Sequence, residues 1–296
     1  MSVVLDRTPA VEGRPAATYR QAGEEYVLVE YADGTELDLR LNFVVVGMLG
    51  ALTTAPPPGF VEAAPGLRSI LIRYDPAATS REALLHHLRD LHGRQPEIAG
   101  LTVPSRRIVL PIAFDDSATA EAVRRYVTTI RPDAPYARDG TNIDYIAEQN
   151  GLADREELYE AILGTEWWTA FTGFAPGLPF LFSLREPTLS VPKYNPTRAW
   201  TPEGAVGIGG PCVAIYPVDS PGSYQLFGRT VPIYDLLGRH ELFRDDPFLI
   251  RAGDRVRFTR VTEEELLRAR RQAFDGRYAY RVEDAPFVVA DYLAGR

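Results

Sequence analysis

The side chains that packing alone explains least fall together between Val191 and Thr230, VPKYNPTRAWTPEGAVGIGGPCVAIYPVDSPGSYQLFGRT. Lys193, Arg198 and Arg229 are cationic donors of the kind that pairs with a carboxylate or a carboxyphosphate-like group. Tyr194, Asn195, Tyr224 and Gln225 set donors and acceptors side by side, which is what an amide or ureido group requires. Glu203 and Asp219 are the nearby acids with the chemistry of a general base, and Asp219 lies in a DSPG turn where an Asx role serves equally well. Structural uses stay open beside these: Arg198 and Arg229 can tie loops together, and Asn195-Pro196 can be only a turn.

Other catalytic arrangements are missing from the sequence. It has no P-loop, no GxSxG elbow and no HExxH, and His240 in GRHELF has no Asp or Ser pattern around it that suggests a triad. The glycines at 207, 209 and 210 do not open a helix inside a βαβ unit, so they make no dinucleotide fingerprint. The single cysteine, Cys212, allows neither an intrachain disulfide nor a multi-cysteine metal cluster, and reads as a small apolar filler. His86, His87 and His92 lack the i, i+4 spacing of a helical zinc pair and read as residues of a solvated helix.

The elements that position the central stretch are short. Runs at 205–208, 213–216 and 224–227 read as strands separated by Pro/Gly turns, a β scaffold with a polar pocket presented from its loops. Upstream, 167–174 reads as a strand leading into GFAPGLPFL, where Gly173 and Gly177 bracket a turn that can approach a ligand closely. Downstream, VPIYDL reads as a continuing strand, and PFLIRAGDRVRF as two strands joined at Gly253-Asp254. Thr262 then caps the helical EEELLRARRQAF, with acids in the first turn and arginines in the last.

The first third differs in character. Residues 1 to about 20 read as a loose lead-in, 26–31 as a strand, and Leu37, Leu39 and Leu41 as the alternating positions of a second strand. Residues 43–52 read as a helix capped by Asn42, 67–74 as a strand, and Ser80 as the cap of a helix carrying Leu84, Leu85, Leu88 and Leu91 on one face. Strand, helix, strand, helix in about 100 residues suggests a ferredoxin-like α+β sandwich. Ile108–Phe114 is a strand with Pro111 inside it, suited to an edge or to the start of a domain. Residues 118–130 read as a helix with Val123, Tyr126 and Val127 as its stripe, Asn142 as a cap and Asn150-Gly151 as a helix stop. The expected division is 1–105 as the ferredoxin-like domain, 106–262 as a mainly β barrel, and 263–296 as a C-terminal helix and tail.

At 296 residues with 45% hydrophobic content the chain is long enough for two packed cores. Its net charge of −8, with a pI near 5.2, argues against a nucleic-acid partner. The sequence lacks a cationic leader and any apolar run long enough to span a membrane, so a cytoplasmic location is expected.

KYNPTRAWTPEGAVGIGG and YPVDSPGSYQLFGRT resemble stretches of the carboxyltransferase domain of urea carboxylase. They are also similar to the family that takes in allophanate hydrolase subunit 1, KipI and the B component of 5-oxoprolinase. The helix in RDGTNIDYIAEQNGL resembles the former, GFAPGLPFL the latter, and VEAAPGLRSILIRYDP the N-terminal domain of the latter. Urea carboxylase carries a Gly-Asp-containing segment where this chain has GFAPG, and that acid is absent here. Family members of the second kind carry a His ahead of GFAPG, where this chain has Ile162.

The resemblance implies a cyclophilin-like barrel and component 1 of a two-component amidohydrolase or carboxyltransferase. The substrate would be a small ureido or lactam compound such as allophanate, 5-oxoproline or urea. A subunit 2 type partner would complete a heteromer, and ATP or carboxybiotin would be used by the complex, with no cofactor bound directly by this chain. The expected catalytic residues are Arg198, Gln225 and Arg229, and the expected substrate-binding residues are Phe174, Pro176, Lys193, Tyr194, Asn195 and Tyr224. The rival reading is a KipI-like inhibitor that binds a histidine kinase without catalysis.

Overall fold

In the computed structural model, which describes residues 3–34, 36–137, 140–186 and 188–295, the chain divides into two units, Met1–Ser105 with Asp284–Arg296 and Arg106–Glu283. Arg138 and Asp139 at the head of RDGTNIDYIAEQNGL lie outside the described residues.

The first unit runs β1 (Val4–Thr8), β2 (Ala17–Gln21), β3 (Tyr26–Tyr31), α1 (Leu39–Thr54), β4 (Phe60–Pro65), β5 (Ser69–Tyr74), α2 (Arg81–Arg94) and β6 (Thr102–Val103). Its five-stranded sheet has the order β1-β2-β3-β5-β4, with every pair antiparallel. The lead-in expected to be loose is therefore two paired strands, and Ala17 and Tyr19 of β2 are fully buried. Leu39 and Leu41 belong to α1, not to a strand. The Asp38 carboxylate accepts from Arg40 N at 2.9 Å and starts the helix ahead of the period-2 leucines, and the apolar run that follows is buried almost all round. Asn42 is consequently an interior helical residue, its amide donating to the carbonyls of Gly66 and Leu67 at 2.9 and 3.0 Å. Ser80 does cap α2, accepting from Ala83 N. His86 is exposed on that helix, but His92 is 3% exposed with its ring 5.7 Å from that of Tyr31, so the solvated reading fails for His92.

The second unit contains β7 (Arg106–Phe114), α3 (Ser117–Thr129), α4 (Ile143–Gln149), α5 (Arg155–Leu163), β8 (Trp167–Thr172), β9 (Pro179–Ser183), β10 (Arg198–Thr201), β11 (Ala205–Gly209), β12 (Cys212–Ile215), β13 (Ser220–Gly222), β14 (Gln225–Arg229), β15 (Arg255–Arg260), α6 (Glu263–Phe274) and β16 (Arg281–Asp284). The last elements, β17 (Phe287–Val288) and α7 (Val289–Ala294), belong to the first unit, where β17 pairs with β6. Seven strands in the order β14-β11-β12-β9-β8-β15-β7 close into a barrel, because β14 also pairs with β7. β16 adds beside β7, and β10 and β13 form a separate two-stranded sheet.

Alternation explains the barrel's filling. Ile108, Leu110 and Ile112 of β7, Val206 and Ile208 of β11 and Val213 and Ile215 of β12 share one buried cluster. Trp167 and Trp168 are adjacent on β8, so they face opposite sides of the sheet, and both are buried; Ile143 and Ile146 of α4 with Leu158 and Ile162 of α5 belong to the same cluster as Trp167.

Pro111 does not mark an edge. β7 is flanked by β15 on one side and by β14 and β16 on the other, and Pro111 sits opposite Thr259 while its carbonyl accepts from Thr230 Oγ1 at 2.6 Å. Residues 231–236 do not continue a strand, and of the two strands expected in PFLIRAGDRVRF only β15 forms. Pro232 lacks a donor, and the buried Asp235 carboxylate turns the chain by accepting from Leu237 N and Arg239 N; the single bridge Tyr234 to Phe248 remains.

Candidate functional site

A hollow of about 260 Å³ opens on the second unit beside β9 and β12. Phe174, Leu178 and Phe180 make its apolar wall, Lys193 brings a cation, and Tyr216, Ser223 and Tyr224 bring hydroxyls; Ala214 and Gly222 complete it. Among these lining residues there is no acid.

The wall is placed by a tight turn. Gly173 N donates to Leu178 O, Ala175 N to Gly173 O and Leu178 N to Ala175 O, at 2.8–3.1 Å. Phe174 takes φ +66° inside this turn and stays 72% exposed at the rim, a conformation that costs a non-glycine residue on the order of 1 kcal/mol. Gly177, at φ +73°, lies against the Phe248 ring so closely that no Cβ fits.

The opposite wall hangs on Asn142. Its side chain makes no helix cap, contrary to the reading of the sequence, and is fully buried. The amide donates to Tyr136 O at 2.6 Å, accepts from Leu226 N of β14 at 2.9 Å and bonds the Tyr194 hydroxyl. Tyr194 N in turn donates to Ser223 O at 2.6 Å, so one buried amide joins α4, β14 and the segment that carries Lys193. The Lys193 ammonium lies 5.2 Å from the centre of the Tyr224 ring.

Arg198 lies behind this wall, 1% exposed. It donates to Tyr224 O at 2.6 Å and Thr201 Oγ1 at 3.2 Å, stacks 4.3 Å over the Tyr194 ring, and leaves its Nε–H without an acceptor. Among the described residues no carboxylate lies within ion-pair distance of it. Gln225 is also buried, donating to Pro192 O at 2.9 Å with its carbonyl oxygen unpaired.

The nine residues expected at the site thus separate. Phe174, Lys193 and Tyr224 line the hollow, while Tyr194, Arg198 and Gln225 lie beneath the segments that form it. Pro176 stands exposed in the Phe174 turn without lining the hollow. Asn195 is exposed, its backbone held by Tyr136 and Arg131. Arg229 is elsewhere: its Nε donates to Glu203 O at 2.8 Å, and it shares the Glu203 carboxylate with Arg270. Burial and the neighbouring Arg270 charge both lower its pKa. Of the acids weighed as bases, Glu203 is occupied by Arg270 and Asp219 accepts from Trp200 Nε1 and Glu203 N, and neither lines the hollow.

Tyr216, Leu178 and Phe180 were not picked out from the sequence. The period-2 pattern held the signal, since Ala214 and Tyr216, like Leu178 and Phe180, are i, i+2 pairs on one face. Cys212 is 6% exposed and its thiol is pushed up to about 12 by burial, as a filler would be. Ile162 is core, its carbonyl accepting from Trp167 Nε1. Among the described residues no group of three His, Cys, Asp or Glu could hold a metal ion, and no helix is long and apolar enough to cross a membrane.

With that geometry in place, comparison with known proteins gives the family. Residues 17–243 match the carboxyltransferase domain, subdomain C and D, and the chain belongs to this family. It is 37% identical over 285 residues to the urea amidolyase of Lachancea kluyveri, covering 94% of this chain but 15% of that protein. It is 28% identical over 261 residues to the B component of the 5-oxoprolinase of Bacillus subtilis, covering 83% of this chain and 93% of the relative. The crystal structure of the Kluyveromyces lactis urea carboxylase superposes with a TM-score of 0.84 at 34% identity, over all of this chain and 26% of that one.

Proposed function

We propose that the chain is one component of a carboxyltransferase or amidohydrolase that acts on a small ureido or lactam compound of the allophanate, 5-oxoproline or urea type. The observation that carries this reading is the acid-free hollow at Lys193, Tyr216 and Tyr224, built largely from segments inside the family match. Its size suits a small compound, and its hydroxyls and ammonium suit a carbonyl flanked by N–H and a carboxylate. Lys193 would take the anionic end. Phe174, Leu178 and Phe180 would exclude water from the other face.

The likeness to the B component of 5-oxoprolinase supports a partner of the subunit 2 type for the remaining chemistry, with ATP or carboxybiotin used there. The folds are assigned on the same footing: a cyclophilin-like barrel, and a ferredoxin-like first unit in which β2 occupies the sheet position beside β3 that the strand after the second helix would otherwise fill. The antiparallel order β2-β3-β5-β4 supports the latter.

The test is reconstitution with a subunit 2 type protein and assay against allophanate, 5-oxoproline and urea. Turnover of one of them, lost in Lys193→Ala, is the expected result; an inert pair sinks the reading. The exposed Phe174, Leu236 and Leu237 favour the second reading, a protein-binding inhibitor of the KipI kind. An inert pair together with tight binding to a histidine kinase would establish that one.

A further inference from the structure

The floor of the hollow holds a group that the sequence did not mark. Tyr216 follows β12, is 3% exposed, and still contributes to the lining. Its hydroxyl lies against the α-carbon of Gly222, so closely that a Cβ there would collide with it; the same Cβ would stand 2.6 Å from Thr201 Oγ1. Thr201 accepts from the buried Arg198, which also donates to Tyr224 O. The Tyr216 phenol and Thr201 therefore fill the room that a side chain at Gly222 would take, and behind Thr201 stands a guanidinium with no carboxylate partner among the described residues.

A buried guanidinium that has hydrogen bonds but no carboxylate partner keeps a net positive charge, which favours negative charge developing nearby. A phenol that lines the hollow and lies within the field of that charge is a donor whose O–H is polarised towards an acceptor, and such a donor acts most strongly where water is excluded. Burial raises the Tyr216 pKa while the Arg198 charge opposes the rise, so the hydroxyl keeps its proton at neutral pH and remains a donor.

We propose that the Tyr216 hydroxyl, backed by Arg198, donates a hydrogen bond to the acyl oxygen of the compound held in the hollow. This rests on the reading of the hollow as the site for a small ureido or lactam compound. Tyr216 touches the ligand; Arg198 acts through Tyr216 and is a positioning residue.

The full chain is titrated calorimetrically with allophanate, 5-oxoproline and urea, and with tetrahydrofuran-2-carboxylate, which keeps a five-membered ring and the carboxylate of 5-oxoproline but has an ether oxygen in place of the N–H and lacks the lactam carbonyl. Leu178→Trp, which fills the hollow, is the control for location. The expected result is binding of at least one carbonyl compound by the wild type, lost in Leu178→Trp and weakened about tenfold in Tyr216→Phe. Where 5-oxoproline binds, tetrahydrofuran-2-carboxylate binds the wild type more weakly and Tyr216→Phe leaves its affinity unchanged. Binding lost in Leu178→Trp but equal in Tyr216→Phe overturns the role of Tyr216 and leaves the hollow intact as a site. No binding by the wild type, or binding indifferent to Leu178→Trp, overturns the hollow itself and this proposal with it. Arg198→Lys, with its circular dichroism checked, is expected to fall between wild type and Tyr216→Phe; an affinity equal to wild type removes Arg198 from the arrangement.

Discussion

Cys212 and His92 are both buried, and burial holds both uncharged, raising one pKa and lowering the other. The thiol is held neutral, pushed up to about 12, so alkylation by iodoacetamide at pH 8 should be far slower in the native protein than in urea. Equal rates in both conditions would place Cys212 at an accessible position. For His92 burial comes first and the nearby Arg14 charge second in lowering the pKa, against a bond to the Pro15 backbone. Below the ordinary histidine value the unfolded chain takes up a proton that the folded chain refuses, so stability falls as the pH drops beneath about 6.5. His92→Gln should flatten that dependence in urea titrations at pH 7.5 and 5.5; an unchanged slope would show another group to be responsible. Residue type alone decides neither burial. Cys212 was legible because Val213 and Ala214 continue an apolar run, whereas His92 shares its helix with the exposed His86, and the neighbours that face it, Tyr31 of β3 with Arg14 and Pro15, are distant in the sequence.

At the level of elements, local signals that complete themselves within a few residues were readable. Ser80 and Thr262 act as caps, and Thr262 makes a full capping box with Glu265. Signals completed by distant chain were not. Asn142 looks like a cap and instead bonds Leu226 N, 84 residues away. Arg198 and Gln225 look like ligand-facing residues and turn inward, because Tyr224 O and Pro192 O need donors there. Asn142→Ala should leave Tyr136 O, Leu226 N and the Tyr194 hydroxyl unsatisfied together, a loss of about 3 kcal/mol readable as a lowered urea midpoint. A change within about 0.5 kcal/mol would mean that the Lys193 segment is held by something else.

For the whole molecule, the family match ends at residue 243 but the barrel does not. Without β15, both β7 and β8 lose a partner and the seven-stranded ring is left open. A fragment of residues 106–243 is therefore expected to aggregate or to give a collapsed amide spectrum, while 106–283 gives dispersed resonances. A well-folded shorter fragment would show that closure is dispensable. A closed or nearly closed barrel was legible from short strands between Pro and Gly turns; which strands close it was not, because the pairing of β7 with β15 and β14 leaves no mark in any one strand alone.

That pairing also sets a timetable. Arg106 and Asp254, which bond across the start of β7 and β15, are 148 residues apart. During synthesis at roughly 5–20 residues per second, β7 leaves the ribosome roughly 7 to 30 seconds before its parallel neighbour does. Through that interval IVLPIAF is a nascent apolar ribbon with open hydrogen-bonding sides, and Pro111, which has no N–H to offer, is the residue that blunts it against pairing with the wrong chain.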